Sequence, residues 1–467
     1  MKRREFLETS AAAMFGAILS TYANANGVVA KKRIAMVGTG VRGMNFWGVA
    51  VLERFGEHVD FVGLCDINPG RVEYAKQVMK VSCPTFTDFD KMMAAVKPEI
   101  VLVMTTDSEH DKQIVRALEM GADVITEKPM TTDEVKCRSI LAAEKKTGRK
   151  VHVAFNYRFS PYFTRLKQLL SENRIGKVTS VDFNWFLNVY HGASYFRRWH
   201  GLKAKGGSLW VHKATHHFDL MNWWLDSDPV QVTAYGALEH YGKNGKVRGA
   251  SCRSCDHKSS CKFFWDITKD AGAMKLYVDH EKHDGYIRDG CVFSPAIDIY
   301  DKMSAQVIYA NGVTLNYSLT TYSPYEGHRL TFNGFDGKID TWQGIPYQRG
   351  TFDKIDQAAR HALEMEQGNE AADGFEEIIL HKNFEPNPES IRVPRYRGGH
   401  GGGDIRMHRK MFQNEPATEP FRHSAGTRDG AMSILIGIAA RKSIDEKRTV
   451  RIEELTDIKP MAKRPVA

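Results

Sequence analysis

The first third of the chain alternates short apolar runs with segments in which apolar residues recur every three or four positions. Such runs are typical of buried parallel strands, and the intervening periodicity is typical of amphipathic helices. The predicted strands are residues 31–37, 59–65, 98–104, 122–126 and 150–155, and the predicted helices are residues 44–55, 110–120 and 131–147. This alternation predicts an α/β domain of the Rossmann type over residues 31–155.

The pattern changes after about residue 160. Polar and apolar residues now alternate, as in strands with one buried face, and Asn311-Gly312 between two such runs indicates a hairpin. The predicted strands are residues 176–186, 303–309, 313–320, 329–332 and 337–342, and the predicted helices are residues 161–173 and 428–445. We expect an α+β domain over residues 156–420 with a large, open, mainly antiparallel sheet. A helix and strand within residues 421–467 would complete it.

Composition narrows the class of protein. A length of 467 residues suits two domains, and 42% hydrophobic with 26% charged residues is ordinary for a globular protein. The net charge of +9 is not gathered into basic blocks interleaved with aromatic residues, so no nucleic-acid partner is expected. No stretch after the N-terminus is long and apolar enough to span a membrane. The charged segment 352–383 is expected to form solvated helix and loop.

The N-terminal residues are typical of an export signal. Lys2-Arg3-Arg4 precedes a short apolar stretch, residues 11–19, and Ala23-Asn24-Ala25 has the small-x-small form of a cleavage site. The paired arginines followed by Phe and Leu resemble a bacterial twin-arginine signal. We therefore expect residues 1–25 to be removed and the folded protein to be delivered to the periplasm.

The first predicted strand leads directly into Gly38-x-Gly40-x-x-Gly43, and a predicted helix follows. Gly38 permits a tight turn, Gly40 lets the backbone approach a pyrophosphate, and Gly43 lets the helix pack closely. Asp66 ends the second strand, where a carboxylate can accept hydrogen bonds from the ribose hydroxyls of adenosine. The motif therefore predicts a bound dinucleotide, with NAD favoured over NADP.

Ligands of doubly wound sheets gather at the carboxyl ends of the strands, where several polar residues stand in this chain. Lys128 lies there between an acidic residue and Pro129, and a cation at that place suits stabilisation of a developing alkoxide. A surface ion pair with Glu127 is the alternative. The predicted cofactor-binding residues are Gly38, Gly40, Val41, Arg42, Gly43, Asp66, Thr105, His110, Glu127, Lys128 and Asn156.

The stretch 206–225 contains three histidines and continues as an apolar run. Its spacing predicts one helix anchored in the core, with His212 and His216 on one face and His217 about a third of a turn away. Imidazole suits proton transfer near neutral pH, so we predict catalytic roles for His212 and His216. Structural core histidines are the alternative, and a zinc site is not favoured because the Glu of an H-E-x-x-H motif is missing.

The seven cysteines fall into two groups. Cys65, Cys83 and Cys137 are scattered and are interpreted as small buried apolar residues. The second group could bind structural zinc as four thiolates, with His257 as an alternate ligand, or could form two disulfides in an oxidising compartment. Its members are Cys252, Cys255, Cys261 and Cys291. Either arrangement would clamp a long insertion, residues 246–298.

Together these motifs resemble the Gfo/Idh/MocA family of oxidoreductases. The glycine motif, Asp66, Glu127-Lys128-Pro129 and Asn156-Tyr157-Arg158 are similar to its successive signatures, and Gly206 to Asp219 is similar to its second-domain helix. The resemblance implies a Rossmann domain joined to a sheet domain that carries a sugar site. It also implies Lys128 as the polar residue beside the nicotinamide, and a homo-oligomer.

One position departs from the family pattern. Family dehydrogenases often carry Asp four residues before the His that aligns with His216, and this chain has His212 there. An aligned His is a feature of glycoside hydrolase family 109, which resembles this chain in its export signal too. That branch uses bound NAD to hydrolyse glycosides without net oxidation, so the resemblance extends to a class of chemistry and not to a substrate.

Aromatic faces and planar donors hold sugars, and such residues cluster before and after the histidines. The predicted substrate residues are Tyr195, Arg198, His212, Lys213, His217, Tyr322 and His400. The first of these could equally belong to a loop pinned by its own aromatic residues. The glycine-rich segment 397–404 is interpreted as a loop on the substrate side, with Asp404 as a further contact and a flexible linker as the alternative.

Two reactions suit such a site. In a dehydrogenase, His212 or His216 takes a hydroxyl proton while a hydride passes to NAD. In a redox-neutral glycosidase, oxidation at C3 is followed by loss of the C2 proton, departure of the glycosidic oxygen, addition of water and return of the hydride. His212 beside Tyr317, Tyr322 or Tyr325 would then supply base and acid.

An exported enzyme meets little free NAD, which favours a reaction that regenerates the cofactor in place. A non-catalytic protein that binds NAD and sugar, and a subunit that needs a partner dehydrogenase, are the rival classes.

Overall fold

The computed structural model describes residues 30–344, 371–396, 399–413 and 419–464. The expected export signal, residues 1–25, lies outside the described residues. Within the described ranges, no helix is long and apolar enough to cross a membrane.

The first domain is a parallel sheet flanked by helices, as the apolar runs predict. Its strands are β1 (Lys32–Val37), β2 (Val59–Cys65), β3 (Thr85–Phe86), β4 (Ile100–Val103), β5 (Asp123–Thr126) and β6 (Val151–Val153). Its helices are α1 (a π-helical segment Arg42–Val49 continued by Ala50–Phe55), α2 (Pro69–Met79), α3 (Phe89–Val96), α4 (His110–Glu119) and α5 (Glu134–Thr147). The strand order β3-β2-β1-β4-β5-β6 confirms the Rossmann arrangement. The chain adds β2 and β3 on one side of β1 and then β4, β5 and β6 on the other, so the order of the strands switches between β1 and β4.

The second domain is built on one large sheet. Its strands are β7 (Val178–Asn188), β8 (Pro229–Ala237), β9 (Lys302–Tyr309), β10 (Thr314–Ser323), β11 (Gly327–Gly334), β12 (Gly337–Gln343), β13 (Ala371–Lys382), β14 (Glu389–Tyr396) and β15 (Val450–Arg451). In the described part of the chain their order is β14-β13-β12-β11-β7-β10-β9-β8-β15. Only β7 and β10 pair in parallel there, which confirms the mainly antiparallel sheet.

The helices that follow the first domain include two in the histidine stretch. They are α6 (Pro161–Ser171), α7 (Val189–Arg197), α8 (Lys203–Gly206), α9 (Leu209–His212), α10 (Ala214–Leu225), α11 (Ala271–Leu276), α12 (Gly399–Phe412) and α13 (Thr427–Glu446). The C-terminal helix α13 is buried over most of its length and packs against β8 and α10. The backbone N–H of Val153 in β6 donates to the carbonyl of Ala425, so the segment before α13 also joins the first sheet.

Two of the predicted elements are wrong. The stretch 206–225 is not one helix, because Ser208 has a φ of 70° and the chain breaks at Lys213 between α9 and α10. Part of the charged segment 352–383 is the strand β13, in which Ile378 and Leu380 lie in the core between β12 and β14. The alternation of these apolar residues with charged ones is the strand period. The rest of that segment, up to residue 370, lies outside the described residues.

The glycine-rich segment 397–404 is partly described, since residues 397–398 lie outside the described residues. From residue 399 it forms the start of α12, where His400, Gly401 and Gly402 have φ of 56°, 62° and 78°. These left-handed residues turn the chain back before the regular helix. From residue 399 the segment is therefore an ordered turn beside Asn156 rather than a flexible linker.

A buried ion cluster joins the exit of the first domain to the second. The guanidinium of Arg158, with 2% of the side chain exposed, donates to both carboxylate oxygens of Asp219, at 2.6 and 2.8 Å. It also donates to Asp429 of α13, which pairs with Arg464 at 2.7 Å. Because unpaired charges would be costly at this depth, the cluster fixes α10 and α13 against the chain that leaves the first domain.

Candidate active site

The glycine-rich turn after β1 is shaped by backbone contacts on both sides. Gly38 has a φ of 89°, and a Cβ there would lie 2.5 Å from the backbone of Met104. A Cβ at Gly43 would lie 2.2 Å from the carbonyl oxygen of Gly38. Neither position accommodates a side chain, and the helix that begins at Arg42 aims its N-terminus at the turn. These residues fit the pyrophosphate of a dinucleotide.

Asp66, at the end of β2, is held by protein donors. Its Oδ2 accepts from the backbone N–H of Thr39 at 2.8 Å and from its hydroxyl at 3.1 Å. Its Oδ1 pairs with Arg71 at 3.1 Å, and Arg71 also pairs with Asp284 at 2.7 Å. Asp66 therefore orients the glycine-rich turn, and its contact with an adenosine ribose stays a prediction.

Glu127 and Lys128, which follow β5, have different partners. Arg42 Nε donates to Glu127 at 2.6 Å. Burial would raise the pKa of Glu127, but Arg42 and Lys128 outweigh it and the pKa is lowered. Lys128 Nζ instead donates to the backbone carbonyl of His212 at 3.2 Å, and burial lowers the pKa of Lys128 to about 8. The alternative of a plain surface ion pair between Glu127 and Lys128 is therefore not what the structure shows.

His212, at the end of α9, faces the carboxyl end of β4. Its Nδ1 lies 2.6 Å from Oδ2 of Asp107, in the turn Asp107–Glu109 that follows β4. Burial holds the pKa of His212 well below its usual range, and Lys128 lowers it further, so the ring is neutral at pH 7. Burial raises the pKa of Asp107, against the opposing charge of Lys128. When the Nδ1–H is donated to ionised Asp107, Nε2 carries a lone pair and can accept a proton.

Asp107 is the main site residue that the sequence did not single out. It lies within the predicted turn 105–110, but nothing local distinguishes it from its polar neighbours. Its partner His212 is 105 positions away in the chain. The available signal was a carboxylate at a strand's carboxyl end, which is the usual place for ligand and catalytic groups.

Aromatic rings enclose the other sides of His212. The ring centroids of Tyr195, Trp199 and His200 lie 5.4, 5.8 and 4.2 Å from its own. The Arg198 guanidinium lies 5.4 Å from the Tyr195 ring. The predicted substrate residues Tyr195 and Arg198 are thus brought to His212.

His216 and His217 occupy the interior rather than the same face as His212. His217 is fully buried, stacked on Trp185 at 4.1 Å, with Nδ1 2.6 Å from the hydroxyl of Tyr317. His216 is 2% exposed, and its ring lies between those of Tyr157 and His400, the latter in the first turn of α12. The shared face predicted for His212 and His216 is wrong because the chain breaks between α9 and α10.

Three predicted residues form the wall beside His216. His400 Nδ1 lies 2.9 Å from Asn156 Nδ2 and 3.0 Å from Asp404. Lys213 Nζ lies 5.1 Å from the Trp185 ring. In the described residues the buried Oδ1 of Asn156 has no hydrogen-bond partner, which fits an acceptor for a carboxamide N–H of the cofactor.

The tyrosines proposed as the acid beside His212 lie elsewhere. Tyr317 contacts His217, and Tyr325 packs on Phe186 at 5.4 Å. The ring of Tyr322, also predicted to bind substrate, packs on His240 at 4.7 Å. Tyr322 lies on the outward face of β10, opposite to the face that carries Tyr317, because successive side chains of a strand alternate between its two faces.

His110 and Thr105 support the site from behind. His110 is fully buried, and its two ring nitrogens lie 2.9 Å from the carbonyl of Pro129 and 3.1 Å from that of Thr105. It thereby ties the turn after β4 to the loop after β5. A direct cofactor contact for either residue stays a prediction.

The second group of cysteines meets at one small cavity. Its lining includes Cys252, Cys255, Cys261 and Cys291. The four are unpaired thiols, and the described residues hold no cluster arranged to bind a metal ion, so neither predicted arrangement is seen. Arg197 donates to Cys252 Sγ at 2.8 Å, which brings a cation to that thiol.

The chain matches one family over most of its length. Residues 32–155 match the oxidoreductase family's NAD-binding Rossmann fold, and residues 167–452 match its C-terminal alpha/beta domain. The chain therefore belongs to the Gfo/Idh/MocA oxidoreductase family, as its motifs indicate.

Several relatives share this organisation. A putative oxidoreductase of Bacillus subtilis (strain 168), YteT, is 36% identical over 441 residues, covering 91% of this chain and 98% of the relative. An inositol 2-dehydrogenase/D-chiro-inositol 3-dehydrogenase of Lactiplantibacillus plantarum is 22% identical over 246 residues, covering 50% and 67%. The structure of levoglucosan dehydrogenase with NADH and levoglucosan has a TM-score of 0.61 at 16% identity, covering 91% and 100%.

Proposed function

We propose that this protein is an NAD-dependent oxidoreductase that acts on a sugar or glycoside by hydride transfer at a ring carbinol. The observation that carries the proposal is the meeting of His212, Asp107 and Lys128 beside the glycine-rich cradle. One neutral imidazole backed by a carboxylate, next to a cation, is the set of groups that alcohol oxidation requires.

Each residue has one role. Bound NAD supplies the hydride acceptor. His212 Nε2 takes the hydroxyl proton, and Asp107 stabilises the imidazolium that forms. Lys128 stabilises the negative charge that develops on the carbinol oxygen. The substrate loses one proton and one hydride and becomes a ketone.

The carbohydrate class is supported by the wall around His212. Tyr195 and Trp199 offer aromatic faces, and Arg198 offers a planar donor. The Lactiplantibacillus plantarum relative acts on inositol, a cyclic polyol, according to its name. A ring carbinol with neighbouring hydroxyls suits such a wall.

A redox-neutral glycosidase is the second candidate. The observation that favours it is the number of proton-transfer groups around His212, which exceeds the one base that a dehydrogenase requires. Tyr195 and His200 lie against the His212 ring, and burial raises the pKa of Tyr195. Elimination and addition of water require a second base and an acid, which these residues would supply in place of the three tyrosines considered from the sequence.

The experiment begins with the purified protein and no added cofactor. Dinucleotide released by denaturation is identified, and sugars and their glycosides are then tested for reduced nicotinamide and for hydrolysis. Reduction of added NAD by a free sugar supports the dehydrogenase. Hydrolysis beyond one equivalent per enzyme without added NAD supports the glycosidase. A protein that binds NAD and sugar but neither oxidises a sugar nor hydrolyses a glycoside contradicts both candidate functions.

Export and assembly are further proposals. The Arg3-Arg4 pair supports delivery to the periplasm, and Arg3→Lys with Arg4→Lys should leave the protein in the cytoplasmic fraction of its host. The homo-oligomer is supported by the family resemblance alone, and light scattering on the purified protein tests it. Co-purification with a second dehydrogenase would favour the partner-subunit class instead.

A further inference from the structure

The insertion 246–298 returns from the second domain to the first. Its helix α11 and the following turn Val278–His283 pack against α2. Leu276 and Tyr277 are 2% and 9% exposed and belong to the apolar core of the first domain. The insertion therefore packs against the cofactor domain and is not an independent loop of the second domain.

One side chain of the insertion reaches the glycine-rich turn. The hydroxyl of Tyr277 accepts the backbone N–H of Val41 at 2.9 Å. A Cβ at Gly40 would lie 3.4 Å from the same oxygen. Tyr277 thus lies over the N–H groups that are expected to hold a pyrophosphate. A hydroxyl accepts and donates at once, so Tyr277 can keep the Val41 N–H and donate its O–H to a phosphate oxygen.

A second contact lies at the adenosine end. Arg71 bridges Asp66 of the cofactor domain and Asp284 of the insertion, with side chains only 7–11% exposed. Asn68 also donates to the carbonyl of His280 at 2.9 Å. Because these groups are largely buried, opening the contact exposes paired charges one by one, which costs more than breaking a surface pair.

The insertion is anchored at its base by a further buried pair. Arg253, next to the cysteine cavity, donates to Asp289, which is fully buried, at 3.0 Å. It also pairs with Glu281. The cysteine-lined loop and the part that reaches α2 therefore form one unit.

We propose that residues 271–284, the cover segment, close over the dinucleotide site and retain the cofactor. Tyr277 closes the pyrophosphate end, and Asp284 closes the adenosine end through Arg71. This inference rests on the proposed function, since it takes NAD as the ligand of the first domain. Retention would let an exported enzyme keep the cofactor with which it folded.

Cofactor release tests the proposal directly. Full-length protein loaded with NADH is mixed with a large excess of NAD, and the loss of NADH fluorescence gives the release rate. We expect Tyr277→Ala and Asp284→Asn each to release NADH about 10-fold faster than the wild type, since each removes one closing contact. Tyr277→Phe keeps the ring packing and separates the loss of the hydroxyl from a loss of fold.

The matched control is Asp279→Asn, which breaks the exposed Lys275–Asp279 pair on the same segment. It should release NADH at the wild-type rate, and circular dichroism should show all variants folded. Variants that bind NADH but release it no faster than the wild type would overturn the cover. Tighter binding by Tyr277→Phe would also overturn it, because Tyr277 would then be a competitor of the cofactor. A wild-type protein that binds no dinucleotide would instead overturn the proposed function itself.

Discussion

His212 and His217 come from one short stretch, yet the structure gives them opposite surroundings. His212 faces a carboxylate, Asp107, at the mouth of the parallel sheet. His217 faces a phenol, Tyr317, and stacks on Trp185 inside the second domain. Burial lowers the pKa of both rings well below the usual range, so burial alone does not separate them.

The partner separates them. A carboxylate stabilises the imidazolium that forms when a ring accepts a proton, whereas a phenol in an apolar core does not. Burial raises the pKa of Tyr317 well above its usual range, so its oxygen stays neutral. We therefore assign proton transfer to His212 and a structural role to His217.

The largest effect is expected at His212. His212→Asn removes the base and should lower kcat about 10³-fold, the usual size for general-base catalysis. NADH binding, followed by fluorescence titration, should be unchanged because the His212 ring contacts Asp107 and the surrounding aromatic rings rather than residues of the glycine-rich turn. Near-wild-type turnover in this variant would move the base to another residue.

Lys128→Met should lower kcat about 10²-fold, since it removes a half-buried cation from the developing alkoxide. The measurement is steady-state turnover with NADH affinity as the control. A change in KM alone would reassign Lys128 to substrate binding.

The pH profile tests the same cation. Burial lowers the pKa of Lys128 to about 8, so the charged form is lost as pH rises through that value. We expect kcat/KM to fall above about pH 8, and Lys128→Arg to move that limb upward because guanidinium keeps its proton. Lys128 binds its proton more tightly in the unfolded chain than in the folded one. The free energy of unfolding should therefore rise as pH rises from about 8 towards the ordinary pKa of lysine.

Asp107→Asn should have a smaller effect, about 10-fold in kcat, because the amide oxygen can still accept the Nδ1–H and hold the ring. The lost charge no longer favours the imidazolium. The pH dependence of kcat should shift in this variant, which a purely structural role of Asp107 would not cause.

The smallest effect on activity is expected at His217. His217→Asn should leave kcat near the wild-type value and reduce the free energy of unfolding by about 1–3 kcal/mol, since it strands the buried Tyr317 hydroxyl. Thermal unfolding measures this loss. A large drop in kcat with unchanged stability would show that His217 takes part in the reaction and is not merely structural.

Much of the fold could be predicted from local pattern. The strand Ile100–Val103 lies within its predicted range, 98–104, because a buried parallel strand is an uninterrupted apolar run. The glycine-rich turn could be predicted because its glycines are required by local backbone contacts.

The features that the sequence did not predict depend on contacts between residues far apart in the chain. No local residue marks the break at Lys213, whose φ of −97° and ψ of −47° are open to any residue. Asp107 became a site residue only when folding brought His212 to it. The strand β13 was missed because its exposed positions carry charges that resemble a solvated helix until β12 and β14 are placed beside it.

The buried ion cluster around Arg158 has a mechanical consequence. Four charged groups from the domain exit, α10, α13 and the C-terminal segment meet without access to solvent for Arg158 or Asp219. Moving α10 or α13 away from the domain exit would pull these charges apart at a cost of about 3–5 kcal/mol for each uncompensated group. We therefore expect the domain exit, α10 and α13 to move as one body when a ligand binds.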